Sequence, residues 1–392
     1  MELHELSQPA ASNASPDPAA ASVVAAQAAP AHERRRRTPV WASCLWLLTS
    51  ASLVALLLAY LLPPAFERTE AWYVALATSA FMLRVFQFHL GLALLLVLLL
   101  AALGRRWRLV AVSAAGAALA LWPDLSTCVP HDPPATAGRP ITIMSVNLLA
   151  SNRRGDAILE QIHRADPDVI CLQEYSSYWH QTLGAALGDT YPHVARVVRD
   201  DSFGIAVYSR VPFEPGHCST FQLGGGRTPQ QRVVLRWNGR ETVLYNVHLT
   251  PPMSLRWARR QRLELADLRD RLAAERGPLI VCGDFNATNC TPHIAAIEEL
   301  GLIDVHLLAG RGRGSTWPAL GLKRYLPGLR LDHILVSPAL AGLESRVGTE
   351  FGSDHRPLVA RVAPAGAPTA RQRRAPGPRR ASLNPTTRRN AP

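Results

Sequence analysis

PLIVCGDFNAT, at residues 278–288, reads as a buried strand that runs out through Gly283 onto an acid, Asp284, and an amide, Asn286. GSDHRPLVARV, at 352–362, shows the same device reversed: Asp354 and His355 stand just before an apolar, strand-like segment. Enzymes of mixed α/β architecture present reactive groups at the ends of buried strands. Two acids, an amide and an imidazole in such places are the parts needed to aim a water molecule at phosphorus.

Around these two stretches, strands and helices alternate. ITIMSVNLL (141–149), DVICLQE (168–174), FGIAVYS (203–209), RVVLRW (232–237), TVLYNVHL (242–249), PLIVCGDF (278–285), LDHILV (331–336) and residues 357–362 read as strands. A helix over 155–165 carries Ile158 and Ile162 on one face, a long charged helix over 254–276 carries Leu265, Leu268 and Leu272, and a third lies near 292–300. No internal repeat is visible. Hairpin-like strands mixed with crossover helices imply an α/β fold of two packed sheets with helices outside.

The polar residues at the strand ends form an ordered series: Asn147, Glu174, Asn246 with His248, Asp284 with Asn286, Asp332, and Asp354 with His355. Their order and contexts resemble the endonuclease/exonuclease/phosphatase superfamily, the fold of DNase I, exonuclease III and the inositol-polyphosphate 5-phosphatases. The resemblance covers about residues 140–363. It implies a four-layer α/β sandwich of DNase I type and a metal-dependent phosphoric ester or pyrophosphate hydrolase. Glu174, with Asn147 beside it, is then the main ligand of Mg²⁺ or Mn²⁺, with Asp354 as a second metal-side carboxylate; magnesium needs only one or two carboxylates. Asp284 orients or deprotonates the attacking water, and Asn286 and Asn246 face the substrate phosphate. His355 and His248 bind or protonate that phosphate, and Asp332 holds His355 in its charged form. The reaction is direct attack of water, without a covalent intermediate.

Blander readings exist for several other residues. His333, beside Asp332, points to the opposite face of its strand and reads as structural. Thr316 and Trp317 read as buried, the Gly224–Gly226 loop as a turn, and Arg256, Arg259, Arg260 and Arg262 as a solvated helix face. No CxxC or His/Cys spacing suggests zinc. Cys171 and Cys282 fall in core strands, whereas Cys128, Cys218 and Cys290 fall in loops and could pair outside the cytoplasm.

With 392 residues there is room for an anchor and one large domain. Three uncharged or nearly uncharged runs, 41–62, 85–103 and 107–122, read as spans of a membrane anchor over 41–125, with an interfacial helix at 71–84 between the first two. Arg34 to Arg37 precede the first span, and Arg105, Arg106 and Arg108 separate the second from the third. The positive-inside rule puts both clusters in the cytoplasm and everything after about residue 125 outside it. Residues 1–40 are expected to be a disordered cytoplasmic segment, 126–140 a Pro-rich linker, 141–363 the catalytic domain and 364–392 a disordered basic tail. The net charge of +12 is concentrated in that tail and before the first span, so it says little about substrate.

This layout resembles the membrane phosphatases associated with teicoplanin and vancomycin resistance, which implies an undecaprenyl-pyrophosphate-type lipid-linked substrate beside the bilayer and no protein partner. The alternative is a membrane-tethered nuclease. Arg153, Arg154, Arg311, Arg313, Arg324 and Arg330 in the loops at 150–156 and 311–330 keep nucleic acid open as a partner.

Overall fold

The computed structural model describes residues 40–128 and 135–367. Residues 1–39 of the expected disordered N-terminus, 368–392 of the expected basic tail and 129–134 of the expected linker lie outside the described residues.

Four helices come first: α1 (Val40–Leu61), α2 (Ala71–Val85), α3 (Gln87–Leu103) and α4 (Trp107–Leu125). Among the described residues, α1 and α4 with the turn that follows it are each long and apolar enough to cross a membrane. The 22 residues of α1 reach about 33 Å, enough for the hydrocarbon layer. The 17-residue α3 is shorter and qualifies only jointly with α2, from which it bends by 62°.

The remainder builds two six-stranded sheets. The first contains β1 (Ile141–Asn147), β2 (Val169–Gln173), β3 (His193–Val197), β4 (Ile205–Ser209), β11 (Leu340–Val347) and β12 (Leu358–Pro364), in the order β11-β12-β1-β2-β4-β3. The second contains β5 (Ser219–Gln222), β6 (Pro229–Trp237), β7 (Arg240–His248), β8 (Leu279–Asp284), β9 (Ile303–Asp304) and β10 (Asp332–Val336), in the order β5-β6-β7-β8-β10-β9. Each sheet has one parallel pair at its centre, β1 with β2 and β7 with β8, and antiparallel neighbours on both sides.

The central strands are apolar on both faces because both faces are covered. Ile143, Cys171, Ile280 and Ile334 point into the layer between the sheets. Met144, Ile170 and Leu172, one step along, pack on α5 (Gly155–Ala165) and α6 (Ser177–Leu187). Val243, Val281 and Leu335 pack on α7 (Leu255–Ala274) and α8 (Pro292–Glu298). The result is the expected sandwich of helices, sheet, sheet and helices. A short α9 (Val305–Ala309) follows β9.

The apolar helices do not hang from a linker. From Leu45 onward the described residues form one compact unit. Phe66, Phe81 and Val85 belong to the same buried cluster as Leu265 and Ile294 of α7 and α8. Phe66 and Phe81 meet the ring of His293 edge-on at 5.2 and 4.5 Å. Arg262, expected on a solvated face, is buried, donates to the Ala65 carbonyl and lies over the rings of Phe66 and Tyr73. Thr127 donates to Gly312 O (2.7 Å), Arg313 pairs with Asp124 (3.2 Å), and His89 Nε2 donates to Pro327 O (2.7 Å). All six cysteines are free, and Cys290, expected in a loop able to pair, is buried.

Gly283, just before Asp284, has φ +140, and a Cβ there would sit 1.9 Å from the Val247 carbonyl oxygen of the neighbouring strand. Gly283→Ala should cost roughly 3 kcal/mol through strain and overpacking. Gly239→Ala, at a turn with φ +70 and open space, should cost only about 1 kcal/mol. Thermal unfolding of the solubilised chain checks this; equal losses would mean that the β7–β8 approach is not as tight as described.

Candidate active site

The parallel pairs bring their C-terminal ends to one edge of the sandwich, and their antiparallel neighbours bring their starts to the same edge. In the second sheet His248, Asp284 and Asp332 are partners in register across β7, β8 and β10. In the first, Asn147 ends β1 opposite Gln173, with Glu174 immediately after β2. β12 runs antiparallel to β1, so Ser353, Asp354 and His355 before its start stand at that edge too. Three non-glycine residues there, Leu149, Glu174 and Asn286, take left-handed φ values of +59, +56 and +48. Such backbone is strained and persists only where its surroundings enforce it. At Glu174 it turns the side chain out of the strand direction.

Asp284 is the hub. Its Oδ1 accepts the Asn286 backbone N–H (2.8 Å) and its Oδ2 accepts Asn147 Nδ2 (3.1 Å). The same Asn147 nitrogen donates to Glu174 Oε1 (3.2 Å), and Ala150 N donates to Glu174 Oε2 (2.9 Å). His355 Nε2 and His248 Nε2 lie 3.6 and 3.7 Å from Asp284 Oδ2, too far for hydrogen bonds, so both remain able to bind another acceptor. His355 Nδ1 donates to Asp332 Oδ2 at 2.8 Å. Asp284, Asp332, His248 and His355 are all buried.

Burial alone would lower the His355 pKa. The Asp332 and Asp284 carboxylates, with the hydrogen bond to Asp332 and the charge of Asp354, outweigh it and raise the value to about 10. Burial pushes the Asp284 pKa up, the His355 charge pulls it down, and Asp332 pushes it up again. The site therefore pairs a charged imidazole with a carboxylate displaced toward taking a proton, a division suited to acid–base work.

Ligand atoms of Asp284, Asp332 and His355 lie within 4.8 Å of one another, close enough to enclose a cation. An imidazole protonated on both nitrogens has no lone pair to offer, however. That leaves the Glu174 carboxylate and the adjoining Asp284 oxygen as the set that could hold one. Asn147, expected as a ligand, turns its Nδ2 to both carboxylates while its Oδ1 accepts the Leu149 N–H (3.0 Å), so it would ligate only with its amide turned over. Carboxylate oxygens are hard donors, which fit Mg²⁺ or Mn²⁺ better than a thiophilic metal.

Some expected residues are engaged elsewhere. Asn246, expected at the phosphate, is fully buried between the sheets. Its Oδ1 accepts Gln173 Nε2 (2.7 Å), and its Nδ2 donates to Gln231 Oε1 and to the carbonyls of Leu172 and Ala206. Asp354, expected beside the metal, accepts the Trp317 indole N–H (3.1 Å) and reaches His355 only through its charge. Trp317 is accordingly half-buried and positions Asp354, whereas Thr316 is fully buried. One Asn286 N–H is spent on Leu249 O (2.9 Å). His333 bonds Asp304 (2.6 Å) and Ala287 O (2.8 Å), as a structural residue would. Ser353, inside the GSDH stretch but given no part in the sequence reading, donates to Asn147 O (2.8 Å) and accepts His355 N–H (3.0 Å), tying the two sides of the site. Phe203 lies against His248 with ring centres 5.7 Å apart, and no periodic signal marks it.

Residues 144–355, more than half of the chain, match the family described as Endonuclease/Exonuclease/phosphatase family. Among solved structures, the chain is similar to an endonuclease/exonuclease/phosphatase from Beutenbergia cavernae DSM 12333, with 22% identity over 59% of this chain and 73% of that one, TM-score 0.46. It is also similar to D. rerio TDP2 complexed with single strand DNA product, with 18% identity over 57% and 98%, TM-score 0.49. A third is the human Nocturnin catalytic domain with bound sulfate anion, with 24% identity over 60% and 100%, TM-score 0.47. No curated protein matches the chain.

A histidine whose folded pKa is raised contributes stability that is complete below its unfolded value, near 6.5, and lost as pH rises through about 10. His355→Gln, which cannot titrate, should therefore be less stable than the native chain at pH 6 and approach it by pH ~10. Urea midpoints in metal-free buffer across that range check this. A gap independent of pH would mean that the imidazole is uncharged in the fold.

Proposed function

We propose that this chain, which belongs to the endonuclease/exonuclease/phosphatase family, is a membrane-anchored, Mg²⁺-dependent phosphohydrolase whose domain lies outside the cytoplasm. Its substrate is a phosphoester or pyrophosphate carried on a lipid of the undecaprenyl-pyrophosphate type. Members of the family are metal-dependent phosphoester hydrolases, so the class of reaction follows from membership. The lipid-borne substrate rests on one observation: the apolar helices dock directly on the segments that frame the site, at Pro327, Gly312 and Arg262. Hydrolysis is thereby held next to the bilayer, where lipid-linked phosphates are concentrated and duplex DNA is scarce.

Glu174 would hold the cation, with the Asn147 amide beside it; bound there it would neutralise phosphate charge and stabilise the leaving oxygen. Asp284 orients the attacking water and takes its proton. His355, kept charged by Asp332, donates to a phosphoryl oxygen, and His248 faces the same space from the neighbouring strand. The free N–H of Asn286 is a further donor. Orientation follows from the basic residues: the helix ends that touch the domain are opposite to the end bearing Arg105, Arg106 and Arg108.

A membrane-tethered nuclease is the second reading. Among the loop arginines, Arg330 is buried against Asp304, Arg313 is paired with Asp124 over Phe88 and Arg324 is paired with Glu350, whereas Arg153, Arg154 and Arg311 are exposed.

The reconstituted full chain with Mg²⁺ should release inorganic phosphate from a polyprenyl pyrophosphate and leave plasmid DNA uncut. Chelation should stop the reaction and fresh Mg²⁺ restore it. Asp284→Ala should lower the rate about a thousandfold. Plasmid cleavage without phosphate release would reverse the ranking, and full activity of the Asp284 variant would remove its assigned role.

A further inference from the structure

In the catalytic region, exposed large apolar side chains fall in only two short segments among the described residues. Residues 253–257 hold Met253 (78% exposed), Leu255 and Trp257. Residues 320–326 hold Leu320, Leu322 (86% exposed), Tyr325 and Leu326. Isolated exposed apolar residues need no explanation, but a concentration of this kind marks an interaction surface.

Both segments border the site. The first follows His248 through Leu249, whose N–H donates to Asp284 O (2.9 Å) and whose carbonyl accepts from Asn286 (2.9 Å). The second begins beside Asp354, whose backbone oxygen accepts the Ala319 N–H (2.7 Å). Both also reach the anchor. Pro252 lines one small cavity with Ala77, Thr78 and Phe81 of α2, and Pro327 accepts from His89 of α3. The two segments thus adjoin α2 and α3, near which Trp72, Leu76 and Phe86 are exposed.

Charge accompanies it. Arg256, Arg259 and Lys323 are exposed within or beside the two segments. Arg227, Arg256, Arg259, Arg260 and Trp257 line a hollow of about 580 Å³. Apolar and aromatic side chains interleaved with basic ones fit the boundary between acyl chains and anionic headgroups, where Trp and Tyr sit with one end dry and one end wet.

We infer that residues 253–257 and 320–326 form a two-sided rim that enters the headgroup layer of the membrane holding the anchor, so that the site opens onto anionic phosphates in the plane of the bilayer. This rests on the membrane-anchored reading above and specifies how its substrate is met. A second protein is a less fitting occupant, because both segments touch helices whose exposed faces are apolar.

The test uses the full chain in vesicles of phosphatidylcholine and phosphatidylglycerol. Exposed Cys44, Cys128 and Cys218 are replaced by serine, and a single thiol for an environment-sensitive fluorophore is introduced by Met253→Cys, Leu322→Cys or Glu241→Cys. Glu241 is exposed near the start of β7, at the far end from the site. Lipids carrying a nitroxide near the headgroup should quench most of the emission at 253 and 322 and leave that at 241 unchanged. Emission at 253 and 322 no more quenched than at 241 would overturn the inference. Quenching requires no turnover, so it stands or falls separately from phosphate release from a lipid-borne substrate.

Discussion

A carboxylate removed from water on the inner side of a strand end is costly unless its charge is answered, and Asp284 imposes that condition on everything around it. Its answers are an asparagine amide at the end of β1, the Asn286 backbone N–H two residues along its own chain, and two imidazoles, one at the end of β7 and one just before β12. The arrangement of two parallel pairs with antiparallel flanks is what allows this, since it alone brings two strand terminations and two strand starts to one edge. Gly283 and the left-handed residues at 149, 174 and 286 are the local distortions that the convergence requires.

A second buried aspartate–histidine pair shows what distinguishes the site. His333 has both nitrogens occupied, by Asp304 and by the Ala287 carbonyl, and Arg330 lies 3.1 Å from the same aspartate. Burial would raise the Asp304 pKa, but Arg330 and His333 hold it below the usual carboxylate range. That pair is closed and has nothing left to offer a ligand. His355 is held by Asp332 through Nδ1 alone, and its Nε2 stays beyond hydrogen-bonding distance of Asp284. The same two residue types thus serve as a brace in one place and as reactive groups in another, according to whether one ring nitrogen is left unspent.

The sequence made the eight interior strands readable, since burial on both faces writes an unbroken apolar run. The four it concealed, β3, β5, β9 and β11, are the outermost strands of the two sheets. They are short, partly exposed or charged, as edges commonly are, and so lack the signal. Site residues were readable where an acid or histidine interrupted an apolar run. Asn246 sits in such a run yet is spent between the sheets, and Asp354 meets the Trp317 indole, a contact that no local pattern announces. The docking of the anchor was hidden for another reason. Arg262 looks like one more surface arginine of a charged helix, and only the tertiary structure places Phe66 and Tyr73 beneath it.

That docking bears on how the hydrolase domain can be handled apart from its apolar helices. Stripping away residues 40–128 would uncover the patch of α7 and α8 on which Phe66, Phe81 and Val85 rest, and would strand the guanidinium of Arg262 without its carbonyl. The excised domain would carry a greasy scar where it now has an interior. Solubility by truncation is here opposed by the way the helices complete the core.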